Sequence, residues 1–261
     1  MCPLSRTAAQ LLAALDPHAV VGELYSERGS EIYDAMTAGD DSEVREILRA
    51  GGRTRGSILE LACGSGRLTL PLARLQREVV ALDNSPRMLQ LLEARARDAG
   101  IERIRPVLGD MSAFDLDEQF GLIVLATTSV TLLDAAQRRG LFDAVRRHLA
   151  PDGVFLVSVH AVEVGRGRAE TLLVPLSVDE PDVVLLTEDV NESGGYRDVS
   201  VLRLRRMQGE LVTEAFASRV HLIEESRLRE ELHDAGLVVG DVAAVRFTEG
   251  MRSVSMIECS R

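Results

Sequence analysis

Residues 58–66 read Ile-Leu-Glu-Leu-Ala-Cys-Gly-Ser-Gly, and chemistry concentrates there. An apolar run carries an acid, Glu60, and breaks on Gly64 and Gly66 before a helical pattern that starts at Arg67. A strand that turns on glycines into a helix lets a ligand approach bare backbone. A second apolar run, Glu78 to Leu82, ends in Asp83. An acid at the tip of the second strand of an α/β unit accepts from ribose hydroxyls. The two runs together predict a nucleoside-binding βαβ unit. Asp83 could also be a solvent-facing turn acid, and the glycines ordinary turn residues.

The dinucleotide fingerprint Gly-x-Gly-x-x-Gly is incomplete, because Thr69 stands at its third glycine position. That disfavours an NAD(P)-dependent oxidoreductase.

The elements that must position these residues alternate. Strands are expected near 58–62, 78–83, 103–108, 120–126 and 153–159, and helices near 67–76, 86–99 and 134–149. Asp134 is a plausible cap, and Ala150-Pro151-Asp152-Gly153 reads as a turn. Such alternation implies a doubly wound, mostly parallel sheet. Residues 161–222 change character: strand-like runs at 171–176, 182–189, 197–206 and 210–220 are joined by Asn191–Gly195 and Gln208-Gly209 turns. A helix over 224–235 and strands over 237–247 and 252–259 close the chain. The expected organisation is a helical N-terminal cover (1–56), a cofactor-binding core (57–160), an antiparallel β insertion (161–222) and the C-terminal part of the core sheet (223–261).

Glu60-Leu61-Ala62-Cys63-Gly64-Ser65-Gly66, Asp83-Asn84-Ser85-Pro86-Arg87-Met88-Leu89 and Gly109-Asp110-Met111 occur in order at the spacings of three family motifs. On these the chain resembles the class I S-adenosylmethionine (SAM)-dependent methyltransferases, strongly over about 56–160. The resemblance implies a Rossmann-like seven-stranded sheet and SAM as cofactor. It implies cofactor contacts from Glu60, Ala62, Gly64, Gly66, Asp83, Asn84, Met88, Asp110, Met111 and Ala126. The glycine loop would cradle the methionine part, with Glu60 orienting the loop or meeting the amino group indirectly. Met88 or Asn84 would lie against adenine, and Asp110 would accept from its amine. Met88 could equally be core.

Strand C-termini face the crevice of such sheets. Thr127 and Ser129, small and hydroxylated, are therefore candidates for the acceptor pocket, with Tyr25 and His221. His160, at the end of a strand on the same edge, and Tyr33 are the candidate catalytic residues. Each of these could instead be structural.

Strand four ends Ala126-Thr127-Thr128-Ser129 and lacks the Asn/Asp-Pro-Pro-aromatic signature of nucleobase methylation. The β insertion with a helical N-terminus is similar to small-molecule methyltransferases, including amino-sugar N,N-dimethyltransferases. The run from Glu23 to Leu48 also resembles daptide-type enzymes that dimethylate a peptide N-terminal amine. These likenesses imply an amine acceptor on a small molecule or short peptide. An O-methyltransferase and a catalytically inactive SAM-binding protein are the alternatives.

The chain has 261 residues, 46% of them hydrophobic, and a net charge of −11. That length suits one large α/β domain or a domain with an insertion. The acidic balance disfavours nonspecific binding to nucleic acid or anionic membrane. Every basic residue is Arg. Cys2, Cys63 and Cys259 and the five His show no metal-ligand spacing, so no metal is expected. No apolar run reaches the ~18 residues of a membrane span. A cytoplasmic monomer or homodimer is expected.

Overall fold

Largely apolar runs bounded by turn residues form strands buried on both faces, and this chain places three of them side by side. The structure is a computed structural model that describes residues 4–160, 171–175, 182–246 and 253–261. In chain order the elements are α1 (Arg6–Leu15), β1 (Val21–Glu23), α2 (Glu27–Thr37), α3 (Val44–Arg53), β2 (Ile58–Leu61), α4 (Thr69–Ala73), β3 (Val79–Asp83), α5 (Pro86–Asp98), β4 (Ile104–Leu108) and β5 (Phe120–Leu125). A 3-10 turn over Ser129–Leu132 leads to α6 (Ala135–His148), β6 (Leu149–His160), β7 (Thr171–Pro175), β8 (Asp182–Asn191), β9 (Tyr196–Met207), β10 (Glu210–His221), α7 (Glu225–Asp234), β11 (Val238–Arg246) and β12 (Ser253–Ser260).

The chain divides into two units. One combines the described residues of 40–162 and 223–261, the other those of 1–39 and 163–222. In the first, seven strands run in the order β11-β12-β6-β5-β2-β3-β4. β4, β3, β2, β5 and β6 are mutually parallel, and β12 is antiparallel to β6. This is the Rossmann-like, mostly parallel sheet the sequence predicts. Every residue of β2, β3 and β5 is buried. Period-2 alternation sends Leu59, Leu61, Ile123 and Leu125 to the face covered by α6 and α7. Ile58, Leu122 and Val124 meet α3 and α4 on the other. The strand order reverses between β2 and β5, so the ligand crevice of such a sheet opens at their C-terminal ends.

Two core helices carry side-chain caps, among them the one expected at Asp134. Ser85 accepts from the Met88 N–H, with Pro86 opening α5. Asp134 and Gln137 form a reciprocal capping box on α6.

In the other unit the sheet order is β1-β10-β9-β8-β7. β7 to β10 form an antiparallel meander. Gln208 and Gly209, both at positive φ, make the two-residue hairpin turn between β9 and β10. α2 lies on the face bearing Val184, Val201 and Phe216, and α1 on the face bearing Leu185, Leu202 and Ala215.

Three local expectations change. The helix expected over 67–76 is a single helical stretch, α4, flanked by turns. The 150–153 turn is absorbed into β6, which starts at Leu149 and takes up the extra residues as an irregularity opposite Phe120–Leu122. The N-terminal segment, read as helical, includes β1, which pairs parallel with β10. A three-residue strand has no periodicity to betray it; only its partner makes it a strand.

Candidate active site

The loop after β2 carries the motif residues. Ala62, Gly64 and Gly66 all have positive φ (53°, 55° and 92°), a conformation glycine adopts freely and alanine does not. A Cβ on Gly66 would stand 2.3 Å from Cδ1 of Leu92, a fully buried core residue of α5. A Cβ on Gly64 would meet nothing nearer than Sδ of Met88, at 4.0 Å. Gly66 is thus required by packing, whereas Gly64 leaves its backbone open beside Met88.

Asp83 ends β3 and holds this loop. Its Oδ2 accepts from the Gly64 N–H and its Oδ1 from the Ser85 N–H, both at 2.8 Å. With Asn84 as a third backbone donor, one of its roughly four lone-pair sites stays open. The carboxylate is nearly buried, and burial pushes its pKa up against the three backbone N–H groups that lower it. Glu60 is buried on β2, where Oε2 accepts from the Thr69 hydroxyl at 2.6 Å. Burial pushes its pKa up to about 8. Thr69 therefore has a concrete role at the position where the dinucleotide fingerprint would have glycine.

The other sequence candidates of this unit fall around the same sheet edge. Met88 is buried on α5 and Asn84 exposed just before it. Asp110, exposed after β4, accepts from the Ser112 N–H at 2.7 Å, and Met111 packs against the main core. After β5, Ala126 is buried and Thr127 and Thr128 both have positive φ (54° and 57°). Thr127 Oγ1 lies 3.1 Å from Ser129 Oγ, and Thr128 Oγ1 lies 3.3 Å from Nε2 of His160 at the end of β6. These are hydroxyl and imidazole groups, able to accept or relay a proton.

Tyr25, Tyr33 and His221 belong to the other unit. Tyr25 and Tyr33 meet edge to face, with centroids 5.5 Å apart. Tyr33 packs with the cluster on the α2 face of the meander. His221 shares the opposite face with Ala215, six residues back along β10, so the structure does not bring it beside Tyr33.

Sequence reading missed Glu43. It is fully buried just before α3, and its Oε2 accepts from the Thr127 N–H at 2.9 Å. Nothing local in the sequence signals a bond across that separation. Among the described residues no group of His, Cys, Asp or Glu is placed to hold a metal, and no helix is long and apolar enough to cross a membrane.

The site suits SAM on its own chemistry. The open Gly64 backbone and the remaining lone-pair site of Asp83 match a nucleoside with a ribose diol.

Residues 58–153 match the model of a methyltransferase domain. The chain is 26% identical over 248 residues to the cypemycin N-terminal methyltransferase of a Streptomyces species, covering 90% of this chain and 96% of that protein. A glycopeptide N-methyltransferase, MtfA, solved with sinefungin, superposes with a TM-score of 0.67 at 29% identity, covering 98% of this chain and 97% of that one. The CcbJ methyltransferase of Streptomyces caelestis shares the fold, with a TM-score of 0.76 at 22% identity over 92% of this chain and 99% of its own. With the glycine loop, the Asp83 clamp and the parallel sheet, these likenesses establish the chain as a Rossmann-like, S-adenosylmethionine-dependent methyltransferase.

Proposed function

We propose that the acceptor is an amine, on a natural product or at the N-terminus of a short peptide, and that it can be methylated twice. The likeness over nearly the whole of both chains to the cypemycin N-terminal methyltransferase carries this reading. The likeness to the glycopeptide N-methyltransferase supports it.

When bound, SAM supplies an already activated methyl group on a sulfonium. The protein's own work is then to orient and desolvate, and near-attack positioning contributes up to ~7–11 kcal/mol. Gly64 and Gly66 seat the methionine part, Glu60 braces the loop through Thr69, and Asp83 accepts from the ribose hydroxyls. Met88 and Asn84 border the adenine, with Asp110 and Met111 at its amine. Ala126 is assigned to the cofactor side, Thr127 and Ser129 to acceptor recognition, and His160 to the reacting amine.

Asp83→Ala removes the ribose acceptor and one anchor of the glycine loop. Losing ~1.5–3 kcal/mol of charge-assisted hydrogen bonding weakens SAM binding about 10- to 150-fold. An unchanged dissociation constant by calorimetry, in a folded variant, would remove Asp83 from the ribose site.

The acceptor class is tested by incubation with labelled SAM and a panel of amines, phenols and carboxylic acids, read by mass shift. An amine attacks only when neutral, so the rate rises with pH toward the amine's own pKa. His160→Ala then costs little. A loss of about 10²–10⁴-fold would instead make His160 the general base. Methylation of phenols or carboxylates alone, with no amine modified, overturns the amine reading in favour of an O-methyltransferase.

A further inference from the structure

The backbone just after β5 is bent in a way its residues resist. Thr127 and Thr128 are consecutive, β-branched and both left-handed, with φ of 54° and 57°. For β-branched residues this is a genuine outlier, and such strain persists only where the surroundings over-determine it. Here two buried side chains do so. Glu43 Oε2 takes the Thr127 N–H at 2.9 Å, and Ser158 Oγ takes the Thr128 N–H at 3.0 Å. Both acceptors are fully buried.

Glu43 is diverted to this task. It occupies the N-cap position of α3, where a capping side chain accepts from the first free N–H groups of its own helix. It makes no side-chain cap bond. Its other side-chain partner is the Ser158 hydroxyl, so Glu43 links the two anchors of the bend.

We propose that Glu43 is a positioning residue for methyl transfer: acting through the Thr127 N–H, it holds the Ala126–Ser129 bend in its strained form, with Ser158 as second anchor. This rests on the assignment of Ala126, Thr127 and Ser129 to the cofactor and acceptor side. Arg67 and Asp40 are the charged groups acting on Glu43 besides its hydrogen-bond partners.

The test compares Glu43→Met, which fills the space without an acceptor, with Glu43→Gln, which keeps an oxygen for the Thr127 N–H. Amide hydrogen exchange is read on the cofactor-free protein. In Glu43→Met, exchange at Thr127 and Thr128 rises about tenfold, the range of one lost hydrogen bond. Turnover falls by a comparable factor, while the calorimetric affinity for S-adenosylhomocysteine changes less than about threefold. Glu43→Gln stays near the unaltered protein in all three. Unchanged exchange at Thr127 in a folded Glu43→Met, or a Gln variant no better than Met, overturns the proposal. If Glu43→Met does not fold, Glu43→Gln carries it: exchange at Thr127 in Glu43→Gln as fast as in a peptide overturns it. Failure of every amine with the unaltered protein, alongside the stated exchange pattern, sinks the amine reading and leaves this one standing.

Discussion

The cofactor-free protein loses thermal stability as pH rises from about 5 to about 8, and Glu60→Gln removes most of that loss. Glu60 titrates near 4.5 when unfolded and near 8 when buried in the fold. Between those values the folded state holds a proton that the unfolded state has released. Its stabilising protonation is therefore complete below about 4.5 and is lost as pH climbs through the window. The slope approaches about 1.4 kcal/mol per pH unit for one such group. Glu43 and Asp83, also raised by burial, act in the same direction. Glutamine at position 60 still offers an oxygen to the Thr69 hydroxyl but has no proton to lose, so its melting temperature stays flatter across the window. Equal pH slopes for the two proteins in melts without cofactor would show that Glu60 is ionised throughout. A cationic cofactor favours the ionised acids, so saturating SAM flattens the same curve in the unaltered protein.

Gly121→Ala lowers stability by roughly 3–5 kcal/mol, and the melting temperature by about 10 °C. Gly121 lies within β5, and a Cβ there would stand 1.5 Å from the carbonyl oxygen of Arg55. The colliding atom is backbone, so no rotamer change relieves it. Relief requires moving β5 away from the segment that leads into β2, where the Gly121 N–H donates to the Ser57 carbonyl at 3.0 Å. Both strands are buried on both faces, and a close-packed interior yields little. Gly39→Ala, with nothing within 4 Å of the added carbon, is the control and leaves the melt within about 1 °C. A Gly121→Ala protein that melts with the unaltered one would show that the approach of Arg55 is not required by the fold.

By itself the sequence determined whatever is written in contiguous residues. The strand–glycine–helix segment at 58–73, the acid closing β3 and the Ser85-Pro86 and Asp134 helix starts are all local, and their physics is local: φ freedom, capping and burial of apolar runs. The meander was legible for the same reason, since Gln208-Gly209 sets its own turn. Three things were left to the tertiary structure. β1 is a strand only because β10 lies beside it. Tyr33 was a catalytic candidate and His221 an acceptor-pocket candidate in the sequence, and the pleat of one sheet puts them on opposite faces. Glu43 reads as an ordinary surface acid before a helix, yet the fold buries it and gives its carboxylate to Thr127. Its role depends on where two distant backbones cross, and side-chain spacing along a chain carries no record of that crossing.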